Sequence, residues 1–107
     1  MDAQLKRGIL EVSVLAALLE SDSYGYQIIK DVSPYFSISE STLYPILRRL
    51  EKAGMVTTYS EAYQSRLRKY YSITETGIQR IEQFLEEWES VMKVYSYLKG
   101  EYDRDKT

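Results

Sequence analysis

The chain has 107 residues, 44% of them hydrophobic, and carries 14 basic against 16 acidic side chains for a net charge of −2. That length supports one small domain, and the absence of cysteine and histidine removes disulfides, thiolate metal sites, the commonest metal ligand and the commonest general base. The carboxylates are scattered over helices with no isolated acidic pair, so neither a cofactor nor an enzymatic activity is expected.

The charge is unevenly distributed. Residues 1–40 carry −3, residues 41–71 carry +4 and residues 72–107 carry −3. At physiological salt, charges beyond about 8 Å are largely screened. The local positive potential of the central third therefore matters more to a polyanionic partner than the total.

The first helix is expected over residues 4–20. Leu5, Ile9, Val12, Leu15, Ala16 and Leu19 form one apolar side, which Leu10, Val14, Ala17 and Leu18 widen. A helix apolar nearly all round is buried from more than one direction, and in a chain this small that points to a partner subunit. The apolar run is too short to span a bilayer, and no small-residue cleavage site follows it. It reads as a buried helix of a cytoplasmic protein with no membrane contact.

Ser21, Asp22 and Ser23 read as a loop with capping chemistry. The second helix follows from Tyr24 to Val32, with Tyr26, Ile29 and Val32 inward. Gly25 costs roughly 1 kcal/mol against Ala in a helix, a cost that close approach to another backbone would explain. Pro34 ends the helix.

The third helix is expected over about residues 40–53. Leu43, Ile46, Leu47 and Leu50 make its apolar stripe, while Ser41, Tyr44, Pro45, Arg48, Arg49 and Lys52 fall largely off it. Ser39 or Ser41 is its cap. With Ser41 as cap, Pro45 sits at the fourth helical position and should bend or loosen the first turn. Gly54 suits the left-handed residue that closes a helix. Small hydroxyls, a tyrosine and arginines on an exposed helix front can lie against phosphates and reach into a groove. An ordinary solvated amphipathic helix has the same pattern.

Val56–Tyr59 and Tyr70–Ile73 are strand formers on either side of a polar loop, residues 60–66. They make a hairpin over about residues 56–73, with Arg66, Arg68 and Lys69 at its tip and on its returning strand. Three helices followed by a hairpin is the layout of a winged helix-turn-helix domain, in which the third helix enters the major groove and the wing lies on adjacent backbone or minor groove. A plain two-stranded cover with a solvated charge run is the alternative, and two adjacent basic elements disfavour it.

The last helix, over residues 75–100, opens at the N-cap Thr74. Ile78, Ile81, Leu85, Trp88, Met92 and Tyr95 step by three and four, and Phe84, Val91 and Leu98 recur at sevens. One small domain cannot cover both stripes. Ile81, Leu85, Trp88, Val91, Met92 and Tyr95 are therefore expected at a dimer seam. Gly100 is expected to close the helix and residues 101–107 to fray. The fold class is mainly α with a small β-hairpin: a winged helix-turn-helix unit over residues 1–73 plus a long C-terminal dimerisation helix.

The stretch TLYPILRRLEKAGMV, followed by RKYYSITETG, resembles the PadR family of bacterial transcriptional regulators. Thr42, Leu43, Tyr44, Pro45, Leu47, Arg49, Leu50, Glu51 and Gly54 match the family's recognition helix. Arg68, Lys69, Tyr70, Tyr71, Thr74 and Gly77 match its wing, and Tyr24-Gly25-Tyr26 looks like the start of its second helix. The resemblance covers nearly the whole chain. It implies a homodimer that represses transcription from a near-palindromic operator of double-stranded DNA and dimerises through its last and first helices. The single C-terminal helix resembles the smaller subgroup, some members of which bind flat aromatic drugs between paired tryptophans at the dimer centre. Trp88 falls at the matching place, while Met92 stands where a drug-binding relative carries an acid. The family's wing usually carries glycines where this chain has Gln64, Ser65 and Arg66, so a stiffer wing is expected.

On these grounds Arg48, Arg66, Arg68 and Lys69 are expected to hold phosphates, with Tyr24 and Tyr44 donating from their hydroxyls. Ser39, Glu40, Ser41 and Pro45 are expected to face bases, and Thr42 and Tyr70 complete the DNA-binding set. A small aromatic effector would meet Leu5, Ile9, Val12, Trp88 and Met92; the alternative for Trp88 is a core aromatic at the seam. The competing function is a winged-helix module that binds a protein partner through its acidic helices.

Overall fold

The apolar spacing near the N-terminus folds as α1 (Ala3–Ala16), with Asp2 as its cap accepting from the Leu5 N–H at 3.0 Å. The computed structural model describes residues 1–106. α1 stops at Ala16 rather than at residue 20. The amides of Leu18 and Leu19 bond three residues back, to Leu15 and Ala16, and this tightened turn buries Leu18 while Leu19 stays half exposed. The periodicity ran on past the helix because Leu18 is a core residue supplied by a turn.

The expected capping loop at Ser21–Ser23 is corrected in the same region. Ser23 and Tyr24 form a short strand, β1 (Ser23–Tyr24). Tyr24 is the cap residue of α2 (Gly25–Val32), and no side chain closes that end. The inward face of α2 also differs from expectation. Ile28 and Val32 are buried and Ile29 is partly so, whereas Tyr26 is 58% exposed with Lys30 above its ring. Eight residues carry too little periodicity to fix a helix's phase when tyrosines can lie on either side.

α3 (Glu40–Lys52) begins after Ser39, so Pro45 lies in the second turn rather than the first. It has no N–H to give the Ser41 carbonyl, and the helix runs unbroken past it. Its end is a full Schellman motif. Gly54 takes φ +73°, its N–H bonds Glu51 O at 3.0 Å, and the Met55 N–H bonds Leu50 O at 2.9 Å. The chain reverses there into the sheet.

β2 (Val56–Tyr63) and β3 (Arg66–Ile73) pair antiparallel along their whole length, from Val56 opposite Ile73 to Tyr63 opposite Arg66. The expected seven-residue loop is thus mostly strand, and only Gln64 and Ser65 connect the two. Both take positive φ, +47° and +64°, as a type I′ hairpin turn requires. β1 adds to the far side of β3, giving the order β1-β3-β2.

Thr74 joins the sheet to α4 (Glu75–Lys106). Its hydroxyl accepts from the Gly77 N–H and donates to the Gly54 carbonyl at 2.6 Å, fastening the start of α4 to the end of α3. α4 does not close at Gly100 or fray after it, because it continues as helix to Lys106; Thr107, the last residue of the expected frayed tail, lies outside the described residues. A glycine in an exposed helix costs only about 1 kcal/mol, too little to end 32 residues of helix.

The core lies between α1, α2, α3 and one face of the sheet, and holds Leu10, Val12, Val14, Leu15, Leu18, Ile28, Val32, Leu43, Ile46, Leu47, Leu50, Val56, Tyr71 and Ile81. Full burial of each such aliphatic contributes roughly 1.5–3 kcal/mol. α4 joins this core only through its first turns. Every described residue from Glu89 onward is exposed.

Candidate nucleic-acid interface

α3 presents its front to solvent. Ser39, Glu40, Ser41 and Thr42 are exposed, and three of their hydroxyls form a cluster, with Ser39 Oγ 2.9 Å from Ser41 Oγ and 3.3 Å from Thr42 Oγ1. Arg48 is exposed and Pro45 partly so, on the same side of the helix. Tyr44 leans away from this front onto the head of α2. A Cβ at Gly25 would lie 2.5 Å from Tyr44 Oη and 2.9 Å from Cζ. The close approach that Gly25 permits is to this tyrosine ring. It brings the Tyr44 hydroxyl to the start of α2, next to the Tyr24 position.

Strand alternation divides the wing between two faces. Tyr59, Glu61 and Tyr63 of β2 pair with Tyr70, Arg68 and Arg66 of β3, and Tyr24 pairs with Tyr70. These residues share the outer face. There the Arg68 guanidinium lies between two rings, 3.8 Å from the centre of Tyr24 and 3.5 Å from that of Tyr63, and donates to the Tyr70 hydroxyl at 3.5 Å. Tyr70 is stacked on Tyr59 at 5.5 Å and meets Tyr24 edge-on at 5.7 Å. The Tyr59 hydroxyl donates to Asp22 at 2.7 Å, and that bond pushes its pKa up to about 12. A planar, delocalised cation suits such a sandwich better than an ammonium does.

Lys69 and Tyr71 lie on the other face. Tyr71 is in the core, and its burial raises the phenol's pKa. Lys69 Nζ is 4.0 Å from Glu51, which also accepts from Thr58 at 3.1 Å. This ties the C-terminal turns of α3 to the sheet. The expected phosphate ligands are therefore split. Arg66 and Arg68 stand with Tyr24 and Tyr70 on the outer face, whereas Lys69 stands on the α3 side.

Sequence reasoning did not find Tyr59, Tyr63 and Asp22 as members of this cluster. The signal was present, since Tyr59 and Tyr63 are four apart and share a strand face once β2 is known to reach Tyr63. It also left out the bond from Arg49 Nε to Glu11 at 3.2 Å, which joins α3 to α1.

The residues expected around an effector are unequal. Val12 is buried in the chain's own core, and so is Ile81 of the expected seam. Ile9 and Trp88 are half-buried, and Trp88 lies 5.9 Å from the Phe84 ring. Leu5, Leu85, Val91, Met92 and Tyr95 are 41–60% exposed. Among the described residues no group of three or more acidic side chains could hold a metal, and no helix is long and apolar enough to cross a membrane.

Comparison with known proteins finds chains that share this fold. A transcriptional regulator from Clostridium thermocellum is 38% identical over 88% of this chain and 96% of its own, with a TM-score of 0.77. A protein of known structure from Streptococcus mutans is 45% identical over 81% of both chains, with a TM-score of 0.72. A PadR-like transcriptional regulator from Bacillus cereus is 30% identical over 90% of this chain and 96% of its own, with a TM-score of 0.76. The profile of the PadR-like transcriptional regulators matches residues 14–83, most of the chain. The chain belongs to the PadR-like family, and it is a DNA-binding transcriptional regulator, not an enzyme.

Proposed function

We propose that the protein is a homodimeric repressor of a near-palindromic operator. Residues 1–73 form its DNA-binding unit and α4 its dimerisation helix. The observation that carries this reading is the pairing of an exposed, hydroxyl-rich and basic α3 front with a wing whose outer face holds Arg66 and Arg68 among tyrosines. In this reading α3 enters the major groove with Ser39, Glu40, Ser41 and Pro45 foremost, and Thr42 beside them. Arg48, Arg66, Arg68 and Lys69 meet phosphates, with hydroxyl donation from Tyr24, Tyr44 and Tyr70. The base-facing side chains are short. Half-site spacing, about 34 Å between recognition helices, and DNA shape then carry much of the specificity.

The same proposal makes the α4 seam a site for a small aromatic effector. Ligand stacked on Trp88, between Leu5 and Ile9 of α1 and Met92 of α4, would change the spacing of the two readers and release the operator. The DNA arm is tested by enriching duplexes from a random pool with the purified protein and measuring affinity against salt. A two-fold related consensus is expected, and Tyr44→Phe and Arg48→Ala should weaken binding to every enriched duplex alike. A consensus without symmetry, or unaltered affinity in both variants, contradicts the reading. The effector arm is tested by titrating planar aromatic cations and phenolic acids while following Trp88 fluorescence; unquenched emission with unchanged DNA affinity rules it out.

A further inference from the structure

We infer that α1 is a third DNA-contacting element, with Lys6 meeting a backbone phosphate on the flank of α3 opposite the wing. This rests on the reading of α3 as the groove helix. The first turns of α1 run beside the front of α3 and leave an open groove between them. Lys6 and Arg7 stand on one wall, and Ser41, Thr42, Pro45 and Arg49 on the other. The groove thus borders the side chains placed foremost in the DNA.

Its charge is positive. Three cations, Lys6, Arg7 and Arg49, face one carboxylate, Glu11, which is 3.2 Å from Arg49 Nε and 3.7 Å from Arg7 Nε. Asp2 is turned back onto its own helix, where it accepts from the Leu5 N–H. The Lys6 side chain is exposed and makes no ion pair or hydrogen bond with any described residue. Glu11 thus holds the two arginines and leaves Lys6 as the free cation of the groove.

The other flank of α3 is occupied differently. There Tyr44 lies against Gly25, and Glu51 bonds Thr58 of β2. A helix seated in a major groove about 12 Å wide has a phosphate backbone along each side. The wing serves one backbone, and the Lys6 wall is placed to serve the other. A lysine is a mobile point charge that binds phosphate without demanding fixed geometry.

The test is the salt dependence of binding to a duplex enriched by the wild-type protein. Each Lys6 that neutralises a phosphate contributes about 0.9 to the log–log slope. Lys6→Gln should lower the slope by that amount for each bound subunit, with a deficit that shrinks as salt rises, and Lys6→Arg should restore it. Phosphate-ethylation interference should lose one position per half-site in Lys6→Gln. If Arg48→Ala weakens binding while Lys6→Gln keeps the wild-type slope and interference pattern, the α1 contact is wrong and the α3 reading stands. If the wild-type protein enriches no duplex, or Tyr44→Phe and Arg48→Ala both bind as wild type does, both readings fall.

Discussion

The Arg68 guanidinium has a structural role in the wing, and the proposed phosphate contact would draw on the same group. Its plane lies between the rings of Tyr24 and Tyr63, at 3.8 and 3.5 Å, and it reaches the Tyr70 hydroxyl. Two cation–π contacts at a partly exposed site are worth about 0.5–1 kcal/mol each. They link the β1–α2 junction to the end of the wing. The same residue is partly exposed, so its charge still reaches solvent and any phosphate that approaches. Lysine separates the roles, because it keeps the charge and loses the planar stack. Arg68→Lys is expected to retain the salt dependence of DNA binding while the amides of residues 61–68 exchange several-fold faster, the loss of about 1 kcal/mol of local stability. Unchanged exchange in the lysine variant would mean that the two rings hold nothing in place. Arg68→Ala should lose both properties, and its salt slope should fall by about 0.9 per subunit.

The wing as an element shows where a sequence is legible and where it is not. The stripe Leu43, Ile46, Leu47 and Leu50 is unambiguous at helical spacing, and all four side chains are buried. The Gly54 turn was equally plain, because a helix that ends on a left-handed residue favours glycine. β1 was invisible, because two residues carry no periodicity and Ser23-Tyr24 became a strand only through pairing with Tyr70 and Tyr71. The hairpin was found, but its length was not. Ser60–Tyr63 is polar enough to read as loop, and Gln64-Ser65 lacks the Asn-Gly chemistry that marks a type I′ turn. Both turn residues are held at positive φ against the preference of L side chains, at about 1–2 kcal/mol each. Ser65→Gly should relieve one of them. Exchange across residues 62–67 should slow by the equivalent of about 1 kcal/mol, while the core unfolding midpoint stays nearly constant because the tip is exposed along its length. Faster exchange would show that a side chain at Ser65 stabilises the turn. The site followed the same rule as the fold. The motif residues were readable, but the Arg68 sandwich was not, since it depends on the register that sets Tyr63 two pairs away from Arg68, on the same face.

At the scale of the molecule the shape itself argues for a second copy. The radius of gyration is 17.2 Å and the extents are 65 × 26 × 23 Å, against about 13 Å for a compact chain of this length. The excess is α4, whose 32 residues span about 48 Å at 1.5 Å each. Only its first turns reach the core. Beyond them Val91, Met92, Val94, Tyr95, Tyr97, Leu98 and Tyr102 are 48–67% exposed, and grouped exposed apolar side chains mark interaction surfaces. Val91 decides the matter, because it is 48% exposed and lies outside the core, so it can be changed at little cost to the fold of residues 1–73. Val91→Arg places a charge on the stripe shared with Phe84 and Leu98. The expected result is a monomer by sedimentation with helical and aromatic circular dichroism close to wild type. Operator affinity should fall by about 10²–10⁴-fold, the avidity lost when two half-sites are no longer bound by one tethered pair. Binding to a single half-site should persist, because α3 and the wing are intact. A Val91→Arg protein that still sediments as a dimer places the seam on another face of the chain. The overhanging stripe of α4 would then require a different partner.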